Sequence, residues 1–373
     1  MNLEPTDEQL ALRDALARLL ADKASVADHV RPLLEDPTGS TDDVWQGLAD
    51  LGTTGLLVPE EHGGAGMSMA EAGVVLEELG RALYPGPWQS TAVHAARLLT
   101  RAIDGVAGVG ELLRGIAEGD TVATVAAHGG TIAANDGGGG KADAVLFGDV
   151  AVVPDAAAAG VLLVPVAGRS TTTLFAVESA ATGVAVVPLP SADGTRKRAA
   201  VSLDGVVARR LGILTTGAEE ALVDDVLVAS AADALGAAQA VLDLAVDYAK
   251  VRTQFGAPIG SFQAVQHLCV DMLESVELAR SGVVQALWAV DGADDEARHV
   301  AALRCKAFAG RLAGVGDMAI QVFGGIGYTW EHDAHLYLKR LLSWNALLGG
   351  PDRYLEELGS RLVRSVQARG SST

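Results

Sequence analysis

The most constraining feature of this sequence is a single interruption of its helical patterning by a block of β-prone residues. Apolar residues recur at helical spacing from about residue 5 to 118, and again from about residue 216 onward. Few architectures place a small β-domain between two helical blocks. We therefore predict an α+β, mostly α, fold with an N-terminal helical domain (1–118), a middle antiparallel β-domain (119–214) and a C-terminal helical bundle (215–373).

Helix boundaries follow from capping and breaking residues. In the first block, Thr6 precedes an acidic first turn, a second helix follows residues 40–43, and a third runs from about Ser68 to Ala82. The second block carries longer periodic segments, which predict helices over 218–251, 262–291, 293–322 and 333–346, with a final one over 351–367. Four long helices joined by short loops are typical of a bundle.

The β-prone block combines short apolar runs with two unusual connections. Strands are predicted at Val122–Val125, Ala144–Phe147, Val161–Val166 and Ala185–Val187. Residues 133–141, rich in Gly, Asn and Asp, and the alanine run 156–160 are interpreted as short connections. Gly137–Gly140 lacks both a following Lys-Ser/Thr and a G-x-G-x-x-G frame, which favours a flexible hairpin over a phosphate cradle.

Charge and cysteine content exclude several function classes. Lys and Arg number 28 against 47 Asp and Glu, a formal net charge of −19 that repels nucleic acid but permits a small phosphorylated ligand in a local pocket. Cys269 and Cys305 lack the spacing of a metal site or a disulfide framework, which predicts no metal and a reducing compartment. The sequence shows no leader pattern and no membrane-length apolar window, so we expect a cytoplasmic protein without membrane contact.

Two segments of the second helical block contain residues suited to binding a ligand. Arg252–Gln263 (RTQFGAPIGSFQ) supplies a permanent positive fork for phosphate and, in Phe255, a flat apolar face. Gln321–Glu331 (QVFGGIGYTWE) ends a helix with adjacent glycines, which lets a ligand approach bare backbone amides. Either segment alone is equally well interpreted as a helix-loop-helix corner. Together they predict a grip on an aromatic nucleotide that carries a pyrophosphate.

These residues resemble the acyl-CoA dehydrogenase family along the whole chain. Residues 6–13 and 45–66 resemble its N-terminal segments, and the two C-terminal segments match its signatures. The resemblance implies the family's three-domain fold and an FAD-dependent oxidation of the Cα–Cβ bond of an acyl-CoA thioester. It also implies that the ADP part of FAD is contacted by Arg252, Gln254, Phe255, Gln263, Gln321, Gly324 and Gly325.

The sequence departs from the family in the β-domain. Relatives carry a Thr-Glu-Pro-x-Ala-Gly-Ser-Asp segment and a Trp-Ile-Thr segment around the flavin ring. Here residues 124–130 read Thr-Val-Ala-Ala-His-Gly-Gly, and residues 120–214 contain no Trp. The half of the pocket that holds the isoalloxazine and the substrate is therefore predicted to be missing.

The catalytic base is missing from its expected places as well. Abstraction of the α-proton needs a carboxylate in a dry pocket near the thioester. The family's glutamate position, counted from Gly327, falls on Leu348. Glu331 is expected to form an ion pair inside the bundle. After Glu220, the first long C-terminal helix offers only aspartates, which we expect to face solvent or cap the helix, although a base among them stays open: Asp224, Asp225, Asp233, Asp243 and Asp247. We therefore assign no catalytic residue.

The combination implies a shared cofactor. In the family's tetramers, one subunit's β-domain holds the flavin while the neighbour's C-terminal elements grip its ADP part, and this chain retains only the second contribution. It resembles the actinobacterial heteromeric (α2β2) acyl-CoA dehydrogenases that act on steroid side-chain CoA thioesters. The resemblance implies a catalytic acyl-CoA dehydrogenase-like partner subunit, an acyl-CoA substrate, and an electron-transfer flavoprotein or similar acceptor.

Two other hypotheses remain open from the sequence. One is a self-sufficient acyl-CoA dehydrogenase whose base is an aspartate or is unrecognised. The other is a non-enzymatic relative that binds acyl-CoA or acts as a scaffold. Full flavin occupancy of the isolated chain would favour the self-sufficient enzyme, whereas a neighbouring gene for an intact catalytic relative would favour the shared cofactor.

Overall fold

The computed structural model describes residues 5–103, 108–127, 130–136, 144–292 and 294–370. Its α-helices are α1 (Asp7–Lys23), α2 (Asp42–Asp50), α3 (Met69–Arg81), α4 (Ala96–Thr100), α5 (Val109–Glu118), α6 (Ala218–Val251), α7 (Gln263–Gly292), α8 (Asp295–Ala309), α9 (Ala313–Phe323), α10 (Ala334–Ala346) and α11 (Pro351–Gly370). Its strands are β1 (Ala102–Ile103), β2 (Ala123–Val125), β3 (Gly130–Asp136), β4 (Ala144–Pro154), β5 (Val161–Ala167), β6 (Thr172–Glu178), β7 (Val184–Pro188), β8 (Arg198–Leu214), β9 (Thr253–Gln254) and β10 (Ala257–Pro258). The predicted order and the mostly helical α+β class are confirmed.

The helix predicted over 293–322 is wrong because the structure divides it into α8 and α9. A tighter turn, Gly310–Leu312, lies between the two helices. The carbonyl of Ala309 accepts a hydrogen bond from Trp344 Nε1 at 3.0 Å, and that of Gly310 accepts one from Asn345 Nδ2 at 2.9 Å. These side chains of α10 compete for the carbonyls of the helical ladder, a tertiary effect that periodicity does not reveal.

Lys306 ties α8 to the C-terminal end of α10. Its side chain is fully buried, and its Nζ lies 3.8 Å from the centroid of the Trp344 ring. The ammonium donates hydrogen bonds to the carbonyl oxygens of Trp344 and Asn345, which the end of α10 leaves without helical partners. Burial lowers the pKa of Lys306 to about 7, because the charged amine has been removed from water.

The β-domain is built around β8, a strand of 17 residues. Its first half pairs with β4 and β7, and its second half pairs with β6 and β1. Among the described strands, the hydrogen-bonded order is β2-β5-β6-β8-β4-β3. The β2–β5 pair is parallel, so the prediction of a wholly antiparallel sheet is wrong at that edge. β2 and β5 are separated by β3 and β4 rather than by a hairpin, which leaves a parallel pairing possible.

The four strands predicted with bounds lie in β2, β4, β5 and β7, whereas no bounds were predicted for β3, β6 and β8. Residues 133–136, interpreted as part of a connection, belong to β3, where they pair with β4. The alanine run 156–160 forms the turn between β4 and β5, as predicted. Gly137–Gly140 lies outside the described residues. The sheet's core is apolar and includes Leu146, Val150, Val153, Leu162, Val164, Phe175, Val177 and Val201.

The described chain packs as two compact units. One contains Leu76–Leu83 together with the chain from Asp224 onward, and the other contains Asp7–Val75 and Tyr84–Val223. The last turns of α3 therefore belong with the C-terminal helices. The predicted domain boundaries at 118/119 and 214/215 stay predictions.

A close crossing of α3 and α6 explains this division. A Cβ on Gly236 would lie 1.8 Å from the carbonyl oxygen of Glu77, and one on Gly80 would lie 1.9 Å from that of Asp233. Glycine is required at both positions because two backbones are in direct contact. Arg280 of α7 joins the same crossing, since its guanidinium binds Glu77 at 2.7 Å.

Candidate functional site

The first predicted segment leaves the end of α6 as an exposed hairpin. The Arg252 N–H still binds the carbonyl of Tyr248 at 2.9 Å, and the Ile259 N–H returns to the carbonyl of Arg252 at 2.7 Å. Between them, β9 and β10 pair across a two-residue turn. In that turn Phe255 has a φ of 52° and is 95% exposed. A bulky apolar residue is costly both in left-handed backbone and in solvent, which points to selection for binding rather than for folding.

The other predicted residues of this segment are also exposed. Gln254 lies in β9, where its side-chain amide donates to the Thr253 carbonyl at 2.9 Å, and Gln263 is the first residue of α7. The Phe262 ring meets that of Phe255 edge-on at 6.2 Å. One short segment therefore presents a cation, two carboxamides and an aromatic face to solvent.

The second predicted segment ends α9 with open backbone. Gly324 has φ 64° and ψ −141°, a conformation that favours glycine, and a tight helical turn continues to Tyr328. Gln321, Gly324 and Gly325 are all exposed. A Cβ built on either glycine would meet no atom within 4 Å. The backbone here is accessible to a ligand from the solvent side.

A cluster of three rings brings the two segments together. The ring centroid of Tyr248, one turn before Arg252, lies 5.1 Å from that of Phe323. The His332 ring lies 4.2 Å from Phe323 and 6.5 Å from Tyr248. Because Gly324 directly follows Phe323, both segments begin within about one helical turn of this ring cluster. We call Tyr248, Phe323 and His332 the ring cluster below.

The residues of the two segments fit the ADP part of FAD. A pyrophosphate needs a fixed cation and N–H donors, which Arg252 and the open backbone at Gly324 and Gly325 can supply. An adenine ring needs a flat apolar face and hydrogen-bonding groups nearby, which Phe255 and the carboxamides can supply. We call the seven predicted residues the ADP half-site: Arg252, Gln254, Phe255, Gln263, Gln321, Gly324 and Gly325.

Four of the five aspartates of α6 lie against a cation, and the fifth, Asp225, is fully buried. Asp224, Asp225 and Asp233 are buried, so the expectation that they face solvent or cap the helix is wrong. Asp224 accepts hydrogen bonds from Arg298 Nε at 3.0 Å and His299 Nδ1 at 2.8 Å. The buried carboxylate of Asp224 is tolerated because the guanidinium of Arg298, on α8, neutralises it.

The remaining pairs follow the same pattern. Asp233 lies 3.4 Å from Arg340 Nε, and the exposed Asp243 and Asp247 bind Arg81 and Lys250 at 3.0 and 2.9 Å. A carboxylate committed to a cation is a poor acceptor for an α-proton, because protonation breaks the pair.

The position expected for the family's glutamate is a structural turn. Leu348 has a φ of 54°, and its carbonyl accepts hydrogen bonds from Arg353 Nη1 at 3.0 Å and from the Tyr354 hydroxyl at 2.9 Å. Glu331 is exposed, so the expectation of an ion pair inside the bundle is wrong. It lies in the turn before α10.

The β-domain contains a cavity of about 420 Å³ beside the segment that departs from the family. Ala126 and Ala127 line it, together with apolar residues of β4, β5 and the start of α6. Among the described lining residues, polar side chains are limited to Thr131 and Glu219, both exposed. The described lining offers an isoalloxazine, whose ring nitrogens and oxygens need several hydrogen-bonding partners, few side chains that could bond to it. His128 and Gly129 lie outside the described residues.

Sequence reasoning missed three residues of interest. Tyr248 could have been found, because it lies four residues before Arg252, whose N–H still bonds to its carbonyl at the end of α6. His332 carries no local signal, since only the fold brings it to Phe323. Glu219 lines the β-domain cavity and accepts a hydrogen bond from Thr172 at 3.0 Å. Its exposure does not meet the requirement of a dry pocket for a base.

Neither a metal centre nor a membrane span is found in the part of the chain that the structure describes. No group of three or more His, Cys, Asp or Glu side chains there could hold a metal ion. No helix there is both long and apolar enough to cross a membrane.

Comparisons with known proteins agree with this architecture. A model of the acyl-CoA dehydrogenase N-terminal domain matches residues 6–103, and one of the C-terminal domain matches residues 228–361. Acyl-CoA dehydrogenase FadE34 of Mycobacterium tuberculosis is 35% identical over 98% of this chain, which spans only 49% of that protein. Acyl-CoA dehydrogenase IpdE2 of the same organism is 32% identical over 97% of this chain and 100% of its own length.

Solved structures give the same result. A chain of the Tcur3481-Tcur3483 steroid ACAD is 30% identical, with a TM-score of 0.84 over 98% of this chain and 99% of that one. A chain of the ChsE4-ChsE5 complex from Mycobacterium tuberculosis is 25% identical, with a TM-score of 0.85 over 97% and 99%. The motifs, the fold and the full-length similarity to IpdE2 lead to one conclusion: the chain belongs to the acyl-CoA dehydrogenase family.

Proposed function

We propose that this chain is one subunit of a heteromeric, FAD-dependent acyl-CoA dehydrogenase. It contributes the ADP half-site to an FAD shared with a second subunit of the same family. That partner holds the flavin ring and supplies the catalytic base, and two copies of each chain form an α2β2 heterotetramer. This chain alone is inactive. The complex oxidises the Cα–Cβ bond of an acyl-CoA thioester.

The observation that carries the proposal is the mismatch between the two ends of the expected cofactor site. At one end, the ADP half-site is exposed, open at both glycines and fitted to a nucleotide diphosphate. At the other end, the described lining of the β-domain cavity offers few polar side chains. A chain that has only the ADP half-site can function when a neighbouring subunit supplies the pocket for the flavin ring.

An unpartnered apolar surface next to the ADP half-site also supports a partner subunit. Residues 263–271, the first turns of α7, include no buried side chain, although several are apolar. Val251, Val270 and Leu273 are 76%, 59% and 48% exposed. Clustered apolar exposure of this kind marks protein–protein contact surfaces.

The division of labour follows from chemistry. Bound FAD supplies the hydride acceptor of the reaction, and the α-proton must go to a carboxylate. In this chain the aspartates of α6 are paired or buried and Leu348 occupies the family's glutamate position, so the carboxylate belongs to the partner. The residues of this chain bind and orient the cofactor.

Substrate, acceptor and location are extensions of the same proposal. The Tcur3481-Tcur3483 protein is a steroid ACAD, which supports a steroid side-chain CoA thioester as the acyl-CoA substrate here. We propose an electron-transfer flavoprotein or a similar carrier as the electron acceptor, as in the family. A cytoplasmic location is consistent with two free cysteine thiols, Cys269 and Cys305.

The test is equilibrium titration of FAD into the apo-form of the complex. Arg252→Ala removes a charge-assisted contact worth on the order of 1.5–3 kcal/mol, so FAD affinity should fall roughly 10- to 150-fold. Gly325→Ala should weaken FAD by about tenfold or more, because the new methyl obstructs approach to bare amides. The structure itself tolerates that methyl, since no atom lies within 4 Å of it.

Two matched variants serve as controls. Lys250→Ala removes a cation two residues from Arg252 whose ammonium binds Asp247 instead. Gly314→Ala adds a methyl to another glycine with open space around it. Both should leave FAD affinity unchanged. Unchanged affinity in Arg252→Ala and Gly325→Ala, with the complex intact by size-exclusion chromatography, would refute the shared site.

A further inference from the structure

We infer that the ring cluster is a positioning device for the ADP half-site, and that His332 is its positioning residue. The inference rests on the proposed function and extends it to side chains that touch no ligand. The ring cluster sets the relative placement of Arg252 and Gly324, which lie at the ends of two different helices.

The two contact segments cannot fix their own relative position. The hairpin is held by two-residue strands and by its return hydrogen bond to Arg252. The turn after α9 begins at a glycine with nothing packed against it. A binding site must be held within about 0.5 Å of its productive geometry, so the support has to come from beneath.

His332 occupies the place where that support is needed. It is half-buried. Its ring centroid lies 4.2 Å from that of Phe323, with an angle of 47° between the ring planes. The centroid of the Tyr248 ring is 6.5 Å away, with an angle of 71° between the planes. Its Nδ1 accepts the backbone N–H of Ala334 at 3.1 Å, a donor that the start of α10 leaves without a helical partner. One side chain therefore connects the ends of α6 and α9 with the beginning of α10.

The chain itself is folded tightly around this contact. A Cβ on Gly327 would lie 3.0 Å from Phe323 Cβ, so the turn after α9 packs directly on that side chain. The His332 N–H donates to the Thr329 carbonyl at 3.3 Å, which brings the histidine back towards the same turn. A shift of the Phe323 ring would move Gly324 with it.

The ring contact and the cap of His332 can be separated by substitution. His332→Phe retains a ring against Phe323 but loses the acceptor for the Ala334 N–H. His332→Asn retains an acceptor two residues before that N–H, as in an Asx turn, but loses the ring. His332→Ala loses both. The inference assigns positioning to the ring contact.

The measurement is FAD affinity of the apo-form of the heteromeric complex, by equilibrium titration. His332→Ala and His332→Asn should weaken FAD about three- to tenfold, the range expected for loss of an aromatic contact. His332→Phe should stay within about twofold of wild type. Tyr248→Leu and Tyr248→Phe give the same contrast from the other side of the cluster, should the His332 variants fail to assemble.

A double-substitution cycle separates positioning from general destabilisation. If His332 acts through Arg252 and its neighbours, the Arg252→Ala/His332→Ala double variant should bind FAD little more weakly than Arg252→Ala alone. Independent effects would multiply. Unchanged affinity in His332→Ala, full multiplication, or rescue by Asn rather than Phe would overturn the inference. Unchanged affinity in Arg252→Ala would instead overturn the proposed function.

Discussion

Asp224 lies at the centre of a charged network in which Arg298 and His299 bind its two carboxylate oxygens. The other ring nitrogen of His299 lies 3.4 Å from Glu357, which Arg361 binds at 3.0 Å. Burial alone would raise the pKa of Glu357, but hydrogen bonds from Arg361 and His299 lower it below its ordinary value. The network therefore joins α6, α8 and α11, and we expect its role to be structural.

This role predicts different outcomes for buried and exposed carboxylates. Asp224→Asn removes the buried counter-ion of Arg298, which keeps only the exposed Asp295, and should lower the free energy of unfolding by about 3 kcal/mol. Asp243→Asn breaks an exposed pair and should cost less than about 1 kcal/mol. Chemical denaturation of the complex measures both.

Turnover of the same variants tests the absence of a base. For each aspartate of α6, and for Glu219→Gln, the assembled complex should retain turnover within about tenfold, or ~1.4 kcal/mol of barrier. A loss of several orders of magnitude in any one of them, with flavin still bound, would place a working base in this chain.

At the scale of elements, α8 and α10 are interlocked by reciprocal bonds. Trp344 and Asn345 bind carbonyls beside Gly310, and Lys306 binds the carbonyls of Trp344 and Asn345 in return. This arrangement buries the ammonium group of Lys306, where its positive charge is disfavoured. The contact between these helices should therefore depend on pH.

The sign of this dependence follows from the pKa of Lys306, about 7 when folded and 10.5 as the ordinary value. Between those values the unfolded chain holds a proton that the folded chain has released, so this group makes stability rise with pH. The unfolding free energy of wild type minus that of Lys306→Met should increase from pH 7 to pH 10. Denaturant titrations at both pH values measure it, with the exposed Lys250→Met as control. If the difference in unfolding free energy stayed constant or fell with pH, the lowered pKa of Lys306 would be contradicted.

Elements with local signals were predictable from sequence, and those set by tertiary contacts were not. α6 has the predicted bounds because its periodicity is uninterrupted over 34 residues. The division of 293–322 was not predictable, since it depends on side chains of α10. β6 was missed because its alternation is short, and the parallel β2–β5 edge depends on a distant pairing.

The ADP half-site was predicted from two local motifs, whose residues the structure exposes on neighbouring segments. Its support was not, because Tyr248, Phe323 and His332 come from three separate helix ends. The buried state of Asp224 was also missed, because the cations that neutralise it lie on α8. Local sequence thus predicts which short segments are exposed better than which distant side chains support them.

At the scale of the whole molecule, the proposal requires an unequal distribution of flavin. We expect about one FAD per two chains in the heterotetramer, as a symmetric assembly of two unlike subunits would give, and little or none on this chain alone. Flavin absorbance measured against protein concentration, for the chain alone and after co-expression with its partner, gives the ratio. Full occupancy of a homo-oligomer of this chain would favour the self-sufficient enzyme instead.

The glycine crossing of α3 and α6 has a consequence for biosynthesis. Glu77 and Arg280, which join at this crossing, are 203 positions apart in the sequence. At roughly 5–20 residues per second on the ribosome, the finished α3 waits ten seconds or more for the helices that cover its glycine face. The C-terminal unit cannot complete its packing during that interval. A fragment beginning near residue 215 would lack α3, whose backbone at Glu77 contacts Gly236. Nascent chains stalled in this window are where chaperone dependence should be greatest.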